Sequence, residues 1–223
     1  MITPIVLAMD YKSVSNMDVL IYSIQKHIPN PQIYLITDKE LDNYPDWVYK
    51  HAEIDLDIKT HYANWTKNMF LDLYIDIAFP ELEKCIYLDY DTIVMQDISD
   101  LLLGDDWVIK VADHRDLYQH NDFRLNSGVI AFNFNKQCKY LLKKCRAQIA
   151  EDTHDEKIIK EVFIPAGVIT YVDKNYNVLA GCIDAFGKPK VLHYLSMQKP
   201  WTLHSTYKIY FEYLYDLKNK NNK

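Results

Sequence analysis

Two carboxylates one residue apart, Asp89 and Asp91, follow directly on the apolar run Cys85-Ile-Tyr-Leu88, and they form the pattern in this chain most able to do chemistry. In a strand alternate side chains share a face, so both acids can converge on one hard cation while Tyr90 turns the other way. Unpaired carboxylates that close repel each other. A divalent ion such as Mg²⁺ or Mn²⁺, bound through oxygen and shared with a substrate phosphate, relieves that repulsion. D-x-D is a short pattern, and taken alone a strand end whose two acids face water accounts for it more simply. Asp10 and Tyr11 end the first apolar run and admit two readings: a turn acid beside a half-buried aromatic, or an acid bonding a nucleobase or ribose beside a ring that stacks on the base. Asn126-Ser127-Gly128 stands just ahead of an apolar run, where glycine permits close backbone approach to a ligand.

The elements that must position these residues follow from periodicity. Ile2 to Met9 is a strand, Val19, Leu20, Tyr22, Ser23 and Ile24 recur at helical spacing, and Gln32 to Thr37 is a second strand. This opening βαβ unit predicts parallel strands that carry ligands at their carboxyl ends, which is where Asp10 and Tyr11 lie. Trp47 to Tyr49 reads as a strand and Asn64 to Ala78 as a helix, with Lys67 near its start, where a nearby phosphate would compensate the cation. A short helix over Ile98 to Leu103 and a strand over Trp107 to Ala112 ending at Asp113 follow. Tyr118 to Arg124 reads as loop, and the strand after Gly128 leads to helices over Lys136–Ile149 and His154–Phe163. Asp155 and Glu156 fall in the first turn of the latter, where acids are also good helix starters. Short extended pieces at Val168–Val172 and Lys190–His193 complete the pattern.

At 223 residues, 49% hydrophobic and 13% aromatic, the chain can bury one sizeable α/β core. Its net charge of −6, with no basic block before the last residues, argues against binding a nucleic-acid backbone. The four cysteines lack C-x-x-C spacing and read as reduced thiols. Neither a signal peptide nor a membrane span is legible, so a soluble, cytoplasmic enzyme is expected. No internal boundary is visible: residues 1–217 read as one domain and 218–223 as a disordered tail. The aromatic, amphipathic stretch before that tail is expected to dock on its own domain, with weak membrane-surface contact as the alternative.

Ala8-Met-Asp10-Tyr11, Thr66-Lys67, Tyr87-Leu-Asp89-Tyr90-Asp91, Leu125-Asn126-Ser127-Gly128-Val129, Asp155-Glu156 and His193-Tyr-Leu-Ser-Met-Gln-Lys199-Pro-Trp201 occur in this order. In these motifs the chain resembles, over nearly its whole length, the retaining glycosyltransferases of family 8, the glycogenin and lipooligosaccharide galactosyltransferase group. The resemblance implies an α/β, single-domain GT-A fold, a Rossmann-like mixed sheet flanked by helices, that uses a nucleotide sugar with Mn²⁺ or Mg²⁺. Asp89, Asp91 and His193 would hold the metal. Ala8, Asp10, Tyr11, Lys67, Asp89, Tyr90, Asp113, Asn126, Ser127 and Lys199 would form the donor site. Within it Asp10 and Tyr11 match the uracil and ribose positions, and Lys67, Asp113, Asn126 and Asp155 match contacts to the sugar or phosphates. Asp155 and Glu156 would be the catalytic pair.

Two departures stand out. The family usually has Asp-Gln where this chain has Asp155-Glu156, so a full carboxylate could stabilise an oxocarbenium ion or attack it. Ser196 stands where glycine is common. The expectation is a metal-dependent retaining transfer of glucose or galactose from a UDP-sugar to a hydroxyl on a glycan, lipid-linked sugar or protein. The acceptor site could be completed by another domain or subunit, a homodimer included. The rivals are a catalytically silent nucleotide-sugar-binding or scaffold protein, and a nucleotidyltransferase, which should show a Gly-rich or basic triphosphate loop that the first strand lacks.

Overall fold

The computed structural model describes residues 2–58, 67–114, 125–180, 188–194, 201 and 208–221. Strand β1 (Thr3–Met9), helix α1 (Asp18–His27) and strand β2 (Pro31–Thr37) form the expected parallel unit, and β3 (Val48–Glu53) adds alongside β2. Strand β4 (Lys84–Leu88) lies parallel to β1 on its other side. Beyond it come β7 (Val129–Asn133), antiparallel to β4, then β6 (Ile109–Ala112), antiparallel to β7, and β8 (Ile169–Val172), parallel to β6. Among the described residues this makes a seven-stranded mixed sheet in the order β3-β2-β1-β4-β7-β6-β8. A smaller sheet, β5-β10-β9, is built from Thr92–Val94, Val191–His193 and Val178–Leu179.

The period-two rule divides the core. On β1, Ile5, Leu7 and Met9 pack on the α1 side of the sheet, whereas Val6 and Ala8 pack on the other, against Phe70, Leu142 and Phe163. Cys85 and Tyr87 of β4 share that second face with Ile130 and Phe132 of β7. Helices α3 (Lys136–Arg146) and α4 (Asp155–Phe163) cover it, each turning its apolar stripe inward and each capped by a side chain, Asn135 and His154 respectively. The C-terminal helix α5 (Lys208–Asn221) docks on α1: Tyr213 meets Tyr22 edge-on and lies 2.8 Å from His27 Nε2, and Lys26 pairs with Asp216. This helix runs past Leu217 into the stretch expected to be disordered. Among the described residues no helix is long and apolar enough to cross a membrane.

The stretch predicted as one helix over Asn64–Ala78 differs. Residues 59–66 lie outside the described residues. From Lys67 to Tyr74 the chain is a 3-10 helix, and only Ile75–Ala78, α2, is α-helical. Four consecutive residues, Phe70 to Leu73, are buried, so the segment presents no single apolar stripe of the kind that favours an α-helix on a surface.

Asp72 lies in that run, 1% exposed, and among the described residues neither carboxylate oxygen has a well-formed hydrogen bond. Burial, and then the charges of Asp155 and Asp89, raise its pKa well above the usual 3.8. The folded chain thus keeps a proton that the unfolded chain gives up, and stability declines as pH rises from the ordinary carboxyl range through the folded pKa. Asp72→Asn keeps the shape without the charge. Unfolding experiments should show it more stable than the parent by on the order of 1–3 kcal/mol at pH 8, with the gain shrinking at pH 5. A gain as large at pH 5 would contradict the ionisation account.

Candidate active site

The carboxyl ends of β1, β2 and β4 lie at one edge of the sheet, because Met9 pairs in register with Thr37 and Leu7 with Leu88. Asp10, Asp38 and Asp89 follow those ends. Asp89 and Asp91 do not occupy a strand, as the alternation argument required. They sit in a tight turn between β4 and β5, where the chain crosses from the large sheet to the small one. Thr92 Oγ1 donates to the Asp89 carbonyl at 2.7 Å, and the Asp89 amide donates to the Gly128 carbonyl at 2.9 Å. The turn, not the pleat, makes the acids converge.

His193 reaches them through the small sheet. It pairs with Thr92 across the β10–β5 ladder, and the Tyr194 amide donates to the Asp91 carbonyl at 2.9 Å. Its Nε2 stands 3.3 Å from both Asp89 Oδ2 and Asp91 Oδ1. One ligand atom from each of the three residues falls within 4.8 Å of the other two. Two carboxylate oxygens and one imidazole nitrogen are a donor set suited to Mn²⁺ or Mg²⁺, and the surplus negative charge of the two acids calls for a cation. Burial works against a charge on His193, but Asp91 and Asp89 outweigh it and raise its pKa to about 10. Tyr87 Oη donates to Asp89 Oδ1 at 2.6 Å, which leaves Oδ2 on the His193 side.

Gly128 has a more local purpose than the approach to a ligand read from the sequence. A Cβ on this residue would lie 2.1 Å from His193 Cε1 and 2.3 Å from Nδ1, so the imidazole rests directly on the glycine backbone. Asn126 is equally committed. Its Oδ1 accepts from the Gly128 amide at 3.1 Å, and its Nδ2 donates to Glu156 Oε2 at 3.0 Å. Glu156 Oε1 accepts from Lys160 Nζ at 2.6 Å, one helical turn on. Asp155 and Ser127 share a hydrogen bond. Burial and then the nearby Asp89 raise the Asp155 carboxyl to about 7, with the Ser127 bond working the other way.

Asp10 caps the 3-10 helix Tyr11–Asn16: Oδ1 accepts from the Ser13 amide at 3.0 Å and Oδ2 from Ser13 Oγ at 2.7 Å. Tyr11 is 39% exposed, and its amide donates to Asp38 Oδ1 at 2.8 Å. Ala8 lies inside β1 in register with Ile36, its side chain in the core. Tyr90 stacks on Trp201 with ring centroids 5.7 Å apart. Asp113 follows the end of β6, its amide donating to Val172. Lys67 is ion-paired with Asp55 and not with the clustered acids. Thr66, Ser196 and Lys199 lie outside the described residues. Asn177 escaped the sequence reading altogether: its Oδ1 is 3.1 Å from His193 Nδ1, and its Nδ2 donates to Asn126 Oδ1 at 2.8 Å. A lone asparagine between Tyr176 and Val178 belongs to no pattern that would have singled it out.

Comparison with known proteins bears on the family and the fold. Residues 4–204 match the model of glycosyl transferase family 8. No curated protein sequence matches significantly. Among solved structures, the galactosyltransferase LgtC in complex with donor and acceptor sugar analogs superposes with a TM-score of 0.78 at 15% identity, over 97% of this chain and 96% of that one. Apo GlyE, a glycosyltransferase of Streptococcus pneumoniae TIGR4, gives 0.72 at 19% identity, over 99% and 63%. The bifunctional WbbM gives 0.71 at 18% identity, over 97% and 50%. The chain thus spans about half of WbbM and under two thirds of GlyE, but nearly all of LgtC. A mixed sheet of the GT-A kind and a family match over most of the sequence carry one conclusion: the chain belongs to glycosyl transferase family 8.

Proposed function

We propose that this protein is a metal-dependent retaining glycosyltransferase that moves a hexose, glucose or galactose, from a UDP-sugar to a hydroxyl acceptor. The observation that carries this reading is the convergence of Asp89, Asp91 and His193 at the turn joining the two sheets. Bound there, Mn²⁺ or Mg²⁺ would supply positive charge to the departing diphosphate, on which negative charge gathers as the glycosidic bond breaks. The chain's own residues do the rest. Asp10 and Tyr11, at the end of β1, hold the nucleoside. Asp113, Asn126, Ser127 and Lys67 border the sugar and phosphates, with Lys199 as the phosphate cation.

Asp155 and Glu156 are assigned to the face of the sugar that develops cationic charge. Glu156 has both oxygens engaged, by Asn126 and Lys160, so it is held in one orientation. Glu156→Gln would turn an NH₂ group toward one of these two donors. It should leave UDP-sugar affinity within about threefold and lower kcat by about tenfold or more, the signature of an interaction that matters chiefly in the transition state. Steady-state kinetics with unchanged kcat would remove the carboxylate's special role. Calorimetry of UDP-glucose and UDP-galactose with Mn²⁺ tests the reading as a whole: heat with neither sugar would overturn it.

A further inference from the structure

Asn177 is completely buried at the end of a 3-10 turn, Lys174–Asn177, and its amide lies between two residues of the site. The placement of protons around it follows from Gly128. That residue's backbone N–H is a donor in every state, and it points at Asn126 Oδ1, so this atom is the carbonyl oxygen of the side chain. The same orientation sets Asn126 Nδ2 against Glu156 Oε2, an acceptor, and leaves Oδ1 to accept from Asn177 Nδ2. Asn177 must therefore turn its own Oδ1 toward His193. The His193 Nδ1 then faces two oxygens, Asn126 Oδ1 and Asn177 Oδ1, each at 3.1 Å, and has to carry a proton.

We propose that Asn177 is a positioning residue which, with Asn126, fixes His193 as the Nδ1–H tautomer and aims Nε2 at the divalent cation. The inference rests on the metal-dependent reading above and adds to it a residue that touches neither metal nor substrate. A histidine ligand held through its other nitrogen loses no freedom on binding and presents one lone pair in one direction. Asn177 is itself held. Its carbonyl lies 2.8 Å from His114 Nε2, also buried, and its neighbour Tyr176 has its hydroxyl 2.7 Å from Lys190 Nζ, which pairs with Asp100. The clamp thus extends from the metal ligand to the segment that carries Asp113.

Two measurements test this, both on the whole chain and with the metal alone. In the parent loaded with diamagnetic Mg²⁺, ¹⁵N NMR should show His193 protonated at Nδ1 and unprotonated at Nε2. Asn177→Ala, with its fold checked by thermal unfolding without metal, should weaken Mn²⁺ binding by about 10–100-fold in calorimetry. An Nε2–H tautomer in the loaded parent, or a folded variant that binds Mn²⁺ within twofold of the parent, would overturn the proposal. If Asn177→Ala fails to fold, the parent's tautomer decides. A parent that binds neither Mn²⁺ nor Mg²⁺ would take down the metal-dependent reading as well, a result distinct from a parent and variant that bind alike.

Discussion

Asp91→Ala is expected to lose Mn²⁺-dependent UDP-sugar binding by at least about 100-fold, and turnover with it. Asp91 is 3% exposed and its Oδ1 faces His193 Nε2, so no surface acid or water-filled gap can take its place without rearranging the turn. In the metal-free protein the same carboxylate is the leading influence holding the His193 proton against burial, so the substitution also leaves that ring with Asp89 as its remaining acidic neighbour. Asp91→Asn separates charge from shape. It should fold like the parent yet lose most of the metal affinity. Calorimetry with Mn²⁺, then with UDP-sugar and Mn²⁺, checks both variants, and parent-like titrations would show that the acid is merely structural.

A methyl group in the wrong place should do nearly as much harm. Gly128→Ala puts a carbon 2.1 Å from His193 Cε1, 2.3 Å from Nδ1 and 2.9 Å from Nε2, all far inside van der Waals contact. The ring is 2% exposed and wedged between the Asp89–Asp91 turn and the two asparagines, so it cannot swing aside cheaply. Displacing it breaks the Nδ1 bonds and moves Nε2 out of line. The expected result is a loss of Mn²⁺ affinity of about 10–100-fold, together with destabilisation on the order of 1–3 kcal/mol from overpacking. Mn²⁺ titration and urea unfolding read the two effects separately. Intact metal binding in a folded Gly128→Ala protein would mean that His193 does not hold the ion.

Much of this site can be read along the chain. The inner strands are nearly continuous apolar runs ended by acids, because β1 and β4 are covered on both faces, and this is why Asp10 and Asp89 could be placed at the sheet edge from sequence. His193 entered only through its place ahead of Lys199-Pro-Trp201, since a single histidine at the end of a short apolar run has no chemical meaning by itself. The reason the acids converge was not legible. Periodicity describes side chains on a regular element, whereas Asp89 and Asp91 lie in a turn fixed by Thr92 and by the Gly128 carbonyl, which is far from Asp89 in the sequence but adjacent through the β4–β7 pairing. Gly128 could be recognised as a place of close approach but not as a seat for an imidazole. Asn177 and Lys160 were invisible for a related reason: each matters through a partner far away or a turn away, and an amide or a lysine is ordinary in both positions. Asp72 shows the limit from the other side, since a buried acid with no well-formed hydrogen bond among the described residues follows no folding rule.

The most direct test of the central claim is release of UDP from UDP-glucose or UDP-galactose by the purified parent chain, followed with and without Mn²⁺ and with a chelator. The account predicts slow hydrolysis of at least one of these donors that requires the metal, stops with the chelator and is absent in Asp91→Ala. Hydrolysis that proceeds equally in the chelator, or no release from any UDP-sugar under conditions where Mn²⁺ binds, would contradict it.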